Sequence, residues 1–190
     1  KKDGSRQAFN IEKIRNGIET FELTKNRLET INLKNGAIII NDTYNASFES
    51  MQSSLKYISR FKEKRKIAVL GDMLELGEYS KTLHEKVGKE VYNDNIDLLI
   101  CNGENSKYIV NQAKKCGMDE KKVLFFNEKE DIVKYLKNNI TDNDIVLFKA
   151  SNGMKFFDMV SKLQSMEYWY NLNIIKIYKN SRFFLFLWYN

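Results

Sequence analysis

Four short stretches gather the residue types that could do chemistry: Asp42-Thr-Tyr-Asn-Ala, Gly71-Asp-Met-Leu-Glu-Leu-Gly, Asn102-Gly-Glu-Asn and Lys149-Ala-Ser-Asn-Gly. Each follows directly on an apolar run and is built of small or polar side chains. In Lys149 to Gly153 a lysine, a serine and a glycine lead into a helical pattern beginning near residue 153. Free amide groups and the helix dipole at such a start attract an anion. The plain alternative is a capped helix start with a solvent-facing lysine, and the sequence leaves both open. Asp72 and Glu75 could engage a cation or an amine, or serve as an N-cap and a surface acid. His84, the one histidine, lies within a helical pattern, where a lone imidazole reads first as a packing or capping residue. The pattern G-x-x-x-x-G-K-S/T does not occur. An ATP user built from this sequence would need its triphosphate cradle from chain outside these 190 residues.

The elements that must position these stretches are legible from apolar periodicity. Ile11, Ile14, Ile18 and Phe21 follow helical spacing behind Asn10, a fitting N-cap, which predicts a helix over 10–21. Two strand-like runs, Arg27–Leu33 and Ala37–Asn41, flank Asn35-Gly36, a strong hairpin signal because both turn residues tolerate positive φ. Short apolar strands then recur at Ile67–Leu70, Leu98–Cys101, Val123–Phe126 and Ile145–Phe148. Helical patterns fill 49–62, 79–93, 104–116, 128–139 and 153–164. That alternation predicts an α/β fold with a doubly wound, mostly parallel sheet. The continuous hydrophobicity of its strands fits a sheet covered on both faces. In such sheets ligands bind beyond the carboxyl ends of the strands, which is where all four stretches fall.

Composition narrows the function classes. A chain of 190 residues with 43% hydrophobic content has a core large enough to stand without disulfides or metal. Cys101 and Cys116 form neither a CxxC pair nor a zinc pattern, so they read as reduced thiols of an intracellular protein, with no metal site implied. The net charge is +6, but the lysines are spread among acidic residues, which argues against a nucleic-acid-binding stripe. No segment approaches the ~18 apolar residues of a membrane span. The start Lys1-Lys2-Asp3-Gly4 carries neither an initiating Met nor a signal-peptide core and reads as a cut inside a longer protein. Residues 166–190 are rich in Tyr, Trp and Phe without a clean period. They read as an irregular segment packed on the surface or as an extension foreign to the rest, a membrane-surface helix being a weaker option.

Taken together, the stretches resemble the Mur ligase family. Asp42-Thr-Tyr-Asn-Ala-Ser-Phe-Glu-Ser-Met is similar to the family's D-x-Y-N-A-N-P-x-S-M segment between the central and C-terminal domains. Val69 through Gly77, with Ser80 and His84, resembles V-L-G-D-M-x-E-L-G-x-x-S-x-x-x-H. Lys149-Ala-Ser-Asn-Gly-Met resembles K-G-S-R-x-M, and Arg27-Leu-Glu29 resembles R-x-E. Order and spacing agree from about residue 10 to 164. The sequence departs from these patterns where Ser47-Phe48 replaces Asn-Pro, Ala150 replaces glycine and Asn152 replaces arginine.

The resemblance implies a Rossmann-like C-terminal domain over 42–165, preceded in 1–41 by a helix and hairpin from the end of a central ATP-binding domain, and followed by the tail at 166–190. It further implies an ATP- and Mg2+-dependent ligase of peptidoglycan precursor synthesis. A carboxylate is a poor electrophile, so ATP would first phosphorylate the carboxylate of a UDP-N-acetylmuramoyl-tripeptide. The amine of D-alanyl-D-alanine would then displace phosphate from that acyl phosphate. Carried over position by position, Arg27 would face the ATP phosphates, Asp42 would accept from the ribose hydroxyls, and Asn45 would line the nucleotide site. Lys149, Ser151 and Asp72 would line the amino-substrate pocket, with Glu29 orienting Arg27. The main catalytic groups and the Mg2+ site would lie in the central domain. A cytoplasmic monomer with no nucleic-acid partner is expected. A ligase adding another amino acid, or a catalytically silent module of the same fold, are the alternatives.

Overall fold

The computed structural model describes residues 25–165. The helix expected over 10–21 and the aromatic stretch 166–190 lie outside the described residues. The elements run β1 (Glu29–Asn32), β2 (Ile38–Asp42), α1 (Phe48–Ile58), β3 (Arg65–Leu70), α2 (Ser80–Asn93), β4 (Leu98–Cys101), α3 (Ser106–Lys115), β5 (Val123–Phe125), α4 (Lys129–Asn139) and β6 (Asp144–Lys149). A further helix, α5, runs over 157–165. Six strands form one sheet in the order β1-β2-β6-β3-β4-β5. Only β1 runs antiparallel; β2, β6, β3, β4 and β5 are mutually parallel.

The chain order explains which face each helix covers. From β2 to β3, β4 and β5 the chain moves across the sheet in one direction, and from β5 to β6 it reverses. Parallel crossovers are right-handed, so the reversal must carry its helix to the opposite face. Accordingly, Met51, Leu55 and Ile58 of α1, Val87 and Val91 of α2 and Ile109 and Ala113 of α3 pack on one face with Ile40, Leu70, Leu99 and Leu147. Ile132, Val133 and Leu136 of α4, with Phe156, Met159 and Val160, pack on the other face with Ile39, Val69, Ile100 and Phe148.

The Asn35-Gly36 turn closes the hairpin as expected, with Leu33 N donating to Ala37 O at 2.8 Å and Gly36 at φ +90. A Cβ at Gly36 would lie 2.8 Å from that of Asp142, so the turn needs glycine for space as well as for backbone. The hairpin is part of the sheet itself, since β2 pairs with β6 along its whole length. The boundary expected between 41 and 42 therefore cuts the end of a strand, where no break in packing occurs.

β6 is buried at every position although it begins with Asp144 and ends with Lys149. Both charges are answered by the residue directly opposite on a neighbouring strand. Arg65 of β3 pairs with Asp144 at 2.7 Å, and Asp42 of β2 pairs with Lys149 at 2.5 Å. Burial pushes the Asp144 carboxyl up, but Arg65 and the Thr141 amide outweigh it and hold the group below its usual range. A one-residue slip of β6 would bury two unpaired charges, so these pairs fix its register.

Candidate functional site

At the carboxyl edge, Asp42 and Lys149 end adjacent strands and are 8% and 2% exposed. Burial pushes the Lys149 ammonium below its ordinary value, and Asp42 pulls it back. Asp42 Oδ2 also accepts from Ser54 Oγ of α1 at 2.6 Å, and its Oδ1 accepts from Leu28 N at 3.3 Å. Lys149 Nζ donates additionally to Asn45 O at 3.1 Å, which fixes the loop between β2 and α1. α1 starts with a reciprocal cap: Ser50 N donates to Ser47 Oγ, and Ser47 N donates to Ser50 Oγ. Ser47, where the family pattern has asparagine, thus supplies its own cap.

An open cleft of about 700 Å³ lies over this pair, walled by Arg27, Asp42, Tyr44, Asn45, Lys149 and the hydroxyl-bearing side of α1. The Arg27 guanidinium stacks on the Tyr44 ring, 4.1 Å from its centroid. Leu28 sits at φ +46, a left-handed conformation unusual for its side chain. Glu29 accepts from Asn41 Nδ2 at 3.0 Å, so it braces β2 instead of orienting Arg27. The cleft offers a cation, one carboxylate oxygen with acceptor capacity to spare, a half-exposed ring and several hydroxyls. That set fits the sugar and phosphate chemistry of a nucleotide.

Lys149 is neither a solvent-facing lysine nor the opening of an anion-binding helix. It ends the central strand, covered from both sides. Asn152–Met154 form a single 3-10 turn ended by Lys155 in the left-handed region, and the α-helix starts only at 157. Lys149 therefore lies with Asp42 and Asn45, on the Arg27 side. Asp72 and Ser151 form a separate group. Asp72 accepts from Ser106 N at 2.7 Å and Asn105 N at 3.2 Å, so its carboxylate caps α3. Ser151 Oγ accepts from Leu74 N at 2.9 Å and Ser151 N donates to Asp72 O at 3.0 Å, which ties the loops after β3 and β6 together. Glu75 is exposed, at φ +64.

Gly103 gives the Asn102-Gly-Glu-Asn stretch its structural role. Its φ is +127 and a Cβ there would sit 2.3 Å from Asp72 Oδ1, so only glycine lets the acid reach the α3 amides. His84 is fully buried. Its Nδ1 donates to Ser80 O at 2.7 Å, and its Nε2 accepts from Met73 N at 3.0 Å. Both ring nitrogens are used, which holds the neutral tautomer and anchors the loop after β3.

Burial pushes the His84 pKa below its ordinary 6.5, with the Ser80 carbonyl and Asp72 acting the other way. The unfolded chain therefore binds a proton that the folded chain refuses, and stability drops as pH falls below about 6.5. Melting between pH 7 and 5 should show this loss in the wild type and a flatter profile in His84→Asn. Equal slopes would mean the imidazole is not what holds the loop.

Sequence reasoning missed Ser54, and it assigned no role to Tyr44 or Gly103 within the stretches that contain them. Ser54 left a faint signal, a hydroxyl interrupting the buried stripe of Met51, Leu55 and Ile58. No sequence pattern announced the Tyr44 stack. Among the described residues, no cluster of three or more His, Cys, Asp or Glu could hold a metal ion, and no helix is long and apolar enough to cross a membrane.

Residues 26–152 match the family described as Mur ligase, glutamate ligase domain. The chain is 36% identical over 148 residues to the UDP-N-acetylmuramoyl-tripeptide–D-alanyl-D-alanine ligase of Bacillus subtilis, spanning 77% of this chain and 32% of that protein. The protein of the same name from Synechocystis is 34% identical over 146 residues, 76% of this chain and 31% of the relative. In structure, the chain resembles a MurF ligase from Thermotoga maritima solved with ADP, with a TM-score of 0.65 and 30% identity over 78% of this chain and 32% of that one. A MurF from Acinetobacter baumannii gives a TM-score of 0.68 at 25% identity, over 83% and 34% of the two chains. The chain thus spans about a third of the length of these relatives.

Proposed function

This chain belongs to the Mur ligase family, and we propose that it is the C-terminal part of a UDP-N-acetylmuramoyl-tripeptide–D-alanyl-D-alanine ligase. The observation that carries this reading is the 36% identity over 148 residues to the Bacillus subtilis protein of that name. In this reading the whole enzyme works as a monomer, in the cytoplasm, where ATP is available. ATP phosphorylates the tripeptide carboxylate, and the D-alanyl-D-alanine amine attacks the acyl phosphate, giving amide, ADP and phosphate. The sheet from β1 onward is the C-terminal domain, and residues before 26 close the central domain. Mg2+ would be held by the nucleotide phosphates and by residues outside the described chain.

Within the domain, Arg27 faces the nucleotide phosphates, Asp42 offers Oδ1 to the ribose, and Asn45 lines the nucleotide edge. Lys149 positions Asp42 and Asn45 from below. The amino substrate is placed at the rim between the 72–75 and 151–154 loops. There Asp72 sets the backbone, and the Ser151 O–H is left to donate, because its oxygen already accepts from Leu74. Closure of this domain on the central one would bring amine and acyl phosphate together, and such positioning can supply several kcal/mol of a barrier.

The 190-residue chain alone is expected to release no phosphate with ATP, tripeptide and D-alanyl-D-alanine, because it contains no phosphate loop. Exchanged for the corresponding segment of the Bacillus subtilis relative, it should restore ATP-dependent addition of D-alanyl-D-alanine. A folded chimera that adds a different amino acid, or nothing, would retire the assignment in favour of another Mur ligase or a silent module.

A further inference from the structure

The opposite edge of the sheet carries a second concave site that the ligase reading does not use. At the amino ends of β3, β4 and β5 lies a cleft of about 480 Å³, within the size range of small-molecule sites. Its walls carry Lys62, Lys64, Arg65, Lys66, Lys121 and Lys122, against the acids Glu63 and Asp97. Half of these cations are fixed in place. Lys64 Nζ donates to Asp142 O at 2.6 Å, Arg65 pairs with Asp144 at 2.7 Å, and Lys66 pairs with Asp97 at 2.9 Å. The ammonium groups of Lys62, Lys121 and Lys122 are exposed and make no ion pair or hydrogen bond among the described residues. Three uncommitted cations therefore line one concavity whose other three are held in place, two of them by carboxylates.

We propose that this cleft binds a compact polyanion of linked phosphates. The chemistry follows from the lining. Apolar contact is confined to Leu98 and the Tyr135 ring, set against six cations, so charge dominates the choice of ligand. The uncommitted cations are lysines, point charges with mobile donors that suit phosphate oxygens, where a planar carboxylate would call for the arginine fork. A concave site with three separate ammonium groups favours several negative charges on one short ligand over a flat charged surface. Glu63 and Asp97 in the same walls repel a diffuse anionic cloud and leave the lysine side as the place of contact. A second, smaller cleft shares Lys62 and Lys66 and ends at Asn93, Asp94 and Asn95. The Asp94 carboxylate therefore limits the ligand's length on that side.

The test uses the isotope-labelled 190-residue chain and inorganic tripolyphosphate, with orthophosphate at matched ionic strength as comparator. Amide shifts are expected at 62–66, 97–98 and 121–122, with tripolyphosphate binding more than about tenfold tighter than orthophosphate. Lys121→Glu/Lys122→Glu, with Lys62→Glu as an independent variant, should weaken binding by more than about tenfold, and Lys89→Glu, at an exposed lysine outside the cleft, should leave it unchanged. Three results would overturn the proposal: shifts gathered at 42–54, wild-type affinity in a charge-reversed chain that melts normally, or no preference for tripolyphosphate. The ligase reading stands apart from all three, because it is carried by the 36% identity over 148 residues to the Bacillus subtilis protein.

Discussion

Lys149→Met should lower the stability of the folded chain by about 3–5 kcal/mol, the range found when one member of a buried ion pair is removed. The ammonium is 2% exposed and lies 2.5 Å from a carboxylate whose side chain is 11% exposed. Without it, Asp42 keeps Ser54 and the Leu28 amide as partners but loses its counter-charge. Asp42→Asn leaves the reciprocal fault, an ammonium held by the Asn45 carbonyl alone. The double variant Asp42→Asn/Lys149→Met removes both charges and should recover much of the loss. Urea unfolding of the four proteins measures the coupling, and a single-variant loss under about 1 kcal/mol would show the pair to be solvated as surface pairs are. In the ligase proposed above, the pair stands at the nucleotide end of the site. Asp42→Ala would raise the ATP requirement roughly tenfold. The D-alanyl-D-alanine requirement should change far less, because that substrate is proposed to sit at the rim between the 72–75 and 151–154 loops.

Gly88→Ala should destabilise the chain by about 2–3 kcal/mol, although alanine is the better helix former by up to ~1 kcal/mol. Gly88 lies on α2 where that helix meets α3, and an added Cβ would come 2.4 Å from Ile109 O and 2.9 Å from Gln112 Cβ. The nearest atom is helical backbone, so α2 and α3 as a whole must move apart. Thermal and urea melts of Gly88→Ala and Gly88→Ser should rank serine as the worse of the two. A melting point raised by alanine would mean that the two helices have room to part.

Most of the fold could be read from the sequence because its strands are uninterrupted apolar runs and its helices keep one buried stripe. Ile38-Ile-Ile, Leu98-Leu-Ile-Cys and Ile145-Val-Leu-Phe each become strands buried on both faces. The helices at 48–58, 80–93, 106–115 and 129–139 lie within four residues of their expected ends. The site was legible as a set of loops, since the carboxyl-end rule depends only on strand order. What each side chain does there was less so. Lys149 reads as a surface residue in a list and becomes a buried counter-ion only when β6 is inserted beside β2. That pairing spans 107 positions and has no local signature. For the same reason the sequence leaves Asp72 open between a ligand-binding acid and a helix cap, because the helix it caps starts 34 residues later.

The placement of β6 also bears on how the chain can be made. It is the last strand of the sheet in sequence, yet it lies between β2 and β3. While the ribosome is still short of Lys149, β2 and β3 each present an open row of amide and carbonyl groups, flanked by Ile38-Ile-Ile on one side and Ile67-Ala-Val-Leu on the other. Unpaired apolar edges of this kind recruit other chains, and long-range parallel pairing forms slowly. For much of its synthesis, then, the nascent domain is a sheet with a gap in its middle, and chaperone demand should peak just before β6 emerges.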